Sequence, residues 1–103
     1  MTSLDRDRLK DFFAAYFHED WLVDAAGPDE VISAYLNDGP TRDELLGLSD
    51  SILRFADGGL DDARLEQALF AELGCYYQPS IDQVSARAWL EQIATTLLEA
   101  ANR

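Results

Sequence analysis

The sequence predicts an all-α fold, a compact single-domain bundle of about five helices with short loops. Two observations predict this class. Apolar residues recur three and four positions apart in five separate stretches, and caps or turn residues separate those stretches. No stretch of useful length alternates apolar and polar residues, as a half-buried strand would. With 103 residues, 48% of them hydrophobic, the chain fits one domain over residues 1–103 with one modest core.

The first predicted helix runs from Leu4 or Asp5 to Phe17, with Ser3 as a plausible N-cap. Acidic residues in its first turn suit the positive end of the helix dipole. Its apolar stripe holds several aromatic rings and predicts the anchor of the core; its members are Leu9, Phe12, Phe13, Tyr16 and Phe17. Residues 18–21 follow where that stripe ends.

The second helix is predicted to begin at Pro28, since proline suits the first helical turn, and to end over residues 37–40. Thr41 and Glu44 have the three-residue spacing of a capping box and precede an apolar run. They predict the start of a third helix, which continues to about Ala56.

Asp61 is the expected cap of a fourth helix, from Asp62 to Leu73, which a glycine follows. Residues 75–79 have a strand-like composition but are too few to build a sheet, so we predict an extended connector. The last helix is predicted over Val84–Ala100.

The net charge is the most informative feature of the amino-acid composition. Twenty acidic residues against eight Lys and Arg give a formal net charge of −12. Such a field repels nucleic acid and anionic lipid, and it raises association rates with basic proteins. The alternative is that the acidity only keeps the protein soluble.

Few side chains in the sequence are candidates for catalysis or metal binding. Cys75 is the single cysteine and His18 the single histidine, and nothing local supports a catalytic pair between them. On a helix His18, Glu19 and Asp20 point in different directions and cannot converge on a metal ion. We therefore expect no enzyme activity, no metal and no cofactor. With neither a signal peptide nor a long apolar run in view, we also expect a cytoplasmic protein that does not enter membranes.

The charge is unevenly placed. Between Lys10 and Arg42 there is no basic side chain, while carboxylates accumulate beside aromatic residues. Aromatic anchors beside carboxylates suit the gripping of a basic partner. The alternative is that these rings belong to the core and the carboxylates are only solvated. Our predicted partner-binding residues are Glu19, Asp20, Trp21, Asp24, Asp29, Glu30 and Tyr77.

Three stretches carry a resemblance to a known family. They are Tyr16-Phe17-His18-Glu19-Asp20-Trp21, with Leu9 and Phe12-Phe13 before it; Leu73-Gly74-Cys75-Tyr76-Tyr77-Gln78-Pro79; and Trp89-Leu90-Glu91-Gln92-Ile93. Together they resemble immunity proteins of contact-dependent growth inhibition, the CdiI type, over nearly the whole chain. The Tyr-Phe-His-x-Asp-Trp element is the more specific part, and residues 24–60 match only in pattern.

The resemblance implies a small cytoplasmic inhibitor that binds the C-terminal toxin domain of a cognate CdiA protein. Many such toxins are nucleases, often acting on tRNA, and a nuclease presents a basic cleft that an acidic protein can cover. We expect a monomer or weak dimer that acts by binding alone and does not bind nucleic acid directly. The alternative is an acidic helical interaction module, such as a homodimer, that is unrelated to toxins.

Overall fold

The computed structural model describes residues 2–103, except for the side chain of Asp24. Six α-helices and one 3-10 helix, with no strand, make up the regular structure of this part of the chain, which confirms the all-α prediction. The helices are α1 (Ser3–Tyr16), α2 (Trp21–Asp24), α3 (Pro28–Asn37), α4 (Arg42–Ala56), α5 (Asp62–Ala71) and α6 (Ala86–Ala101), with the 3-10 helix at Pro79–Asp82 between the last two.

Helices α4 and α6 form the main packing contact, and α1 lies against α4. Each of the three helices contributes an apolar stripe to one shared core, as amphipathic helices must if they are to fold. The predicted stripe of α1 is the anchor of this core, although Tyr16 at its end remains half-exposed. Leu9, Phe13, Ile52 and Leu90 are among its fully buried members.

Helix α1 begins one residue earlier than predicted, because its N-cap is Thr2 and not Ser3. The Thr2 hydroxyl accepts a hydrogen bond from the Asp5 amide, and the Asp5 carboxylate accepts one from the Thr2 amide, both at 3.1 Å. This is the reciprocal capping box. At Thr41, where we predicted a box, only the hydrogen bond from the Glu44 amide to the threonine hydroxyl is present among the described residues.

The Asp5 carboxylate also joins α1 to α4. It is almost fully buried, and it accepts hydrogen bonds from Arg54 Nε and Nη2 at 3.0 and 2.7 Å and from the Ser51 hydroxyl at 2.7 Å. The Arg54 guanidinium, followed by the Ser51 hydroxyl, holds the pKa of Asp5 well below its usual range.

Helix α1 ends at Tyr16 and α6 at Ala101, each one residue from the prediction, and two other bounds differ by two residues. Helix α5 ends at Ala71 and not at Leu73, because the chain turns away before Gly74, whose φ is +72°. Helix α6 begins at Ala86 and not at Val84, since the Ser85 hydroxyl accepts from the Ala88 amide and caps it. The caps at Thr41 and Asp61 are confirmed.

Residues 75–78, here called the connector, run from α5 to the 3-10 helix without regular secondary structure, and the backbone of Gln78 is extended. The predicted connector also included Pro79, which is instead the first residue of the 3-10 helix. Two carboxylates of α5 fasten the chain that follows. Glu66 accepts hydrogen bonds from the amide and hydroxyl of Ser80, both at 2.8 Å. Asp62 accepts from the amides of Ala86 and Arg87 at the start of α6. Among the described residues, none of the helices combines the length and apolar composition that crossing a membrane requires.

Candidate functional site

The turn after α1 positions the candidate site. Phe17 leaves the helical conformation, with φ −110° and ψ 40°, and its buried ring stays in the core. Its carbonyl oxygen accepts a hydrogen bond from the Tyr76 amide at 2.8 Å, which fixes the connector beside the end of α1. His18 shapes the turn itself, since its Nδ1 accepts from the Asp20 amide and its carbonyl from the Trp21 amide.

Helix α2 is a single turn, and its described side chains differ sharply in solvent exposure. The Trp21 ring is 8% exposed, and its centroid lies 5.9 Å from that of Phe17 and 5.5 Å from that of Tyr77. Leu22 and Val23 are 66% and 80% exposed. Because Trp21 anchors the turn on the core, the two aliphatic side chains face solvent.

A shallow groove of about 230 Å³ lies between α2, the start of α3, the connector and the 3-10 helix. We call it the α2 groove. Trp21 and Tyr77 are its buried lining, while Leu22, Tyr76 and Ile81 are exposed. Exposed aliphatic and aromatic side chains gathered at one groove are typical of surfaces that bind another protein.

One carboxylate, that of Asp82, lines the groove beside these apolar side chains. The Tyr77 hydroxyl donates a hydrogen bond to Asp82 Oδ2 at 2.7 Å. Burial raises the pKa of Tyr77, and the bond to Asp82 and the negative charges of Asp82 and Asp29 raise it further. The phenol therefore stays neutral, and the groove combines an apolar surface with a negative potential.

The structure gives the predicted binding residues different environments. Glu19, Asp20 and Asp29 are exposed, and none of them forms an ion pair with a cation in the described part of the chain. Glu30 is exposed too, but its carboxylate accepts from the Ala26 amide at 2.8 Å and so shapes the turn before α3.

Trp21 and Tyr77, the two predicted anchors, are mostly buried, with 8% and 6% of their surfaces exposed. The structure does bring them together at the α2 groove, although they are far apart in the chain. The side chain of Asp24 lies outside the described residues.

Sequence reasoning missed Leu22, Ile81 and Asp82 as groove residues. Ile81 stands alone between Ser80 and Asp82, outside every predicted helical stripe, and that isolation was the available signal. Of the adjacent tyrosines, Tyr77 is buried and Tyr76 is exposed.

The cysteine and histidine show no arrangement for chemistry. Cys75 is fully buried, and burial raises the pKa of its thiol to about 12, so it stays protonated and a poor nucleophile. Within the described part of the chain, no group of three or more His, Cys, Asp and Glu side chains is placed to hold a metal ion. The exposed apolar side chains of the α2 groove suit the binding of another protein.

The model of one family, described as CdiI immunity protein, matches residues 6–97. Searches of curated proteins and of solved structures gave no significant match. The family match spans α1 to α6 and includes all of the α2 groove. The chain therefore belongs to the CdiI family of immunity proteins.

Proposed function

We propose that this protein neutralises the C-terminal toxin domain of a cognate CdiA protein by binding it in the cytoplasm, without catalysing a reaction. The observation that carries the proposal is the α2 groove, where exposed apolar side chains lie beside the Asp82 carboxylate, in a chain of net charge −12. The family match supports a toxin as the partner.

The toxin class that fits this surface is a basic nuclease, such as one that cleaves tRNA. A nuclease needs a positive cleft for phosphate, and an acidic inhibitor that covers the cleft gains complementary charge and excludes the substrate. Long-range attraction also speeds the encounter, which favours capture of the toxin before it acts.

We assign different roles to the residues of the interface. Glu19, Asp20 and Asp29 face the basic partner. The groove's exposed apolar side chains, Leu22 above all, are buried on binding and supply most of the affinity. Trp21 and Tyr77 support the groove from beneath, with little surface of their own to bury.

The test is the association rate of the cognate toxin domain with Glu19→Lys/Asp20→Lys, measured by stopped-flow fluorescence over a range of salt. The control is Asp7→Lys/Glu99→Lys, which reverses two exposed carboxylates elsewhere and brings the net charge to the same −8. We expect the first variant to associate about tenfold more slowly at low salt, with a weaker salt dependence, and the control to change less. Equal rates for the two variants would remove this surface from the interface.

Self-association through the same groove is the second candidate. The exposure of Leu22, Tyr76 and Ile81 in the groove favours it, since a homodimer would bury all three twice. The net charge of −12 opposes it, because two copies repel each other. Light scattering over a concentration series separates the candidates: a persistent dimer with no affinity for the toxin domain supports the homodimer.

A further inference from the structure

A second groove lies on another side of α1, where α1, α3 and α4 meet. Its volume is about 460 Å³, within the ~300–1,000 Å³ range of clefts that take small molecules or single side chains. We call it the tyrosine groove. Its buried lining includes Phe12 and Leu48, and the half-exposed rings of Tyr16 and Tyr35 also line it.

The three aromatic rings form one rigid wall. The Tyr35 ring meets Phe12 and Tyr16 edge-on, with centroid separations of 5.0 and 5.2 Å. The Tyr16 hydroxyl donates a hydrogen bond to Asp38, which raises the pKa of Tyr16 to about 12 and ties α1 to the end of α3. Such a wall offers ring surface to a flat or cationic group at low entropic cost.

Three carboxylates line the same groove, those of Asp11, Asp43 and Glu44. All three residues are exposed, and none forms an ion pair or side-chain hydrogen bond with the described part of the chain. Burial raises the pKa of Tyr35, and the charge of Glu44 adds to that rise, which reflects a carboxylate close to the aromatic wall.

The groove's own cation does not neutralise them. Arg8 lines the groove, but its Nη1 donates to the Gly47 carbonyl at 3.2 Å and to the Ser51 hydroxyl at 3.0 Å. Gly47 makes room for it, since a Cβ there would lie 3.1 Å from Arg8 Cζ. Arg8 is thus bound to neutral oxygens of α4, and it forms no ion pair with the three carboxylates.

Aromatic rings beside uncompensated carboxylates form a complementary site for an arginine side chain. The planar, weakly hydrated guanidinium can stack on a ring while it donates to carboxylate oxygens, which a compact lysine ammonium does less well. We propose that the tyrosine groove receives an arginine side chain of the toxin domain, as a contact separate from the α2 groove. This inference rests on the proposed function for its partner.

The first experiment needs no toxin. The isotope-labelled protein is titrated with N-acetyl-arginine amide, N-acetyl-lysine amide and the neutral N-acetyl-citrulline amide, and backbone amide shifts are followed by NMR. We expect the arginine compound to shift amides around Tyr16, Tyr35 and Glu44, the lysine compound to shift them less, and the citrulline compound to leave them unchanged. The shifts should disappear in Tyr35→Leu, which keeps an apolar side chain. No shifts with arginine, or equal shifts with citrulline or lysine, would overturn the proposal.

The second experiment measures the dissociation constant of the toxin domain for Asp43→Asn/Glu44→Gln. Asp7→Asn/Glu99→Gln is the matched control, with the same change in charge outside the groove. We expect the groove variant to bind about tenfold more weakly, as for a lost charge-assisted contact, and the control to bind almost normally. Equal binding by both variants overturns the groove assignment and leaves the proposed function standing. If the wild-type protein does not bind the toxin domain, the proposed function is refuted. The NMR titration tests the groove's preference for arginine in either case.

Discussion

Replacing Ile81 or Leu22 by serine should weaken toxin binding without unfolding the inhibitor. Ile81 is 73% exposed and Leu22 is 66% exposed, so most of each side chain is available for burial by a partner. Complete burial of such a side chain is worth about 1.5–3 kcal/mol, and the exposed part of each therefore about 1–2 kcal/mol. Each substitution should raise the dissociation constant by about 5- to 30-fold. Because both side chains already face solvent, the free energy of unfolding should change by no more than about 0.5 kcal/mol.

Isothermal titration calorimetry with the purified toxin domain gives the dissociation constants, and thermal unfolding of the free inhibitor checks its stability. The matched control is Leu4→Ser, since Leu4 is 65% exposed at the opposite end of α1. Unchanged affinity in both Ile81→Ser and Leu22→Ser would refute the assignment of the α2 groove. A loss of affinity in Leu4→Ser as large as theirs would refute it equally.

Three further predictions concern the framework that holds the two grooves. The folded state lowers the pKa of Asp5, so the contribution of its carboxylate to stability is fully present above the ordinary pKa of 3.8 and is lost as the pH falls. In urea unfolding, Asp5→Asn should therefore be clearly less stable than wild type at pH 7, and the difference in unfolding free energy should be smaller at pH 3. Asp62→Ala removes the acceptor for the first amides of α6, and it should lower the free energy of unfolding in chemical denaturation by about 1–2 kcal/mol. A loss below about 0.3 kcal/mol would show that water replaces the carboxylate. Gly74→Ala should lower the free energy of unfolding by about 1–2 kcal/mol, because its φ is +72°. The loss should exceed that of Gly39→Ala at φ +75°, because of the two only Gly74 would place the new Cβ near another side chain, 3.2 Å from Ala14 Cβ. Equal melting temperatures of the two variants would contradict this order.

Much of the fold could be predicted because its causes are local. The spacing of apolar residues identified the main helices, and Thr41 and Asp61 marked two starts through the hydrogen bonds that their side chains accept. The prediction of Ser3 as the N-cap of α1 was wrong because the neighbouring Thr2 can take the same position, and only the placement of the Asp5 carboxylate decides between the two. Helix ends such as that of α5 depend on where the chain must turn to meet its neighbours.

The grooves were harder to predict because they are assembled from distant segments. Trp21 and Tyr77 line the same groove, as no local pattern could predict, because an aromatic residue next to carboxylates has the same sequence signature whether its ring is buried or exposed. Ile81 belongs to the site only because Glu66 fastens the 3-10 helix at Ser80. No local pattern specifies that tertiary contact.

The hydrogen bonds of the carboxylates divide the acidic residues into two sets, and this division determines how the inhibitor can be retargeted. Asp5, Asp62 and Glu66 are acceptors for other parts of the chain, so changing them endangers the scaffold. Glu19 and Asp20 are exposed and form no ion pair within the described residues, so we expect the fold to tolerate their exchange. A library that diversifies only the second set, together with the apolar groove residues, should yield inhibitors of new specificity that all still fold.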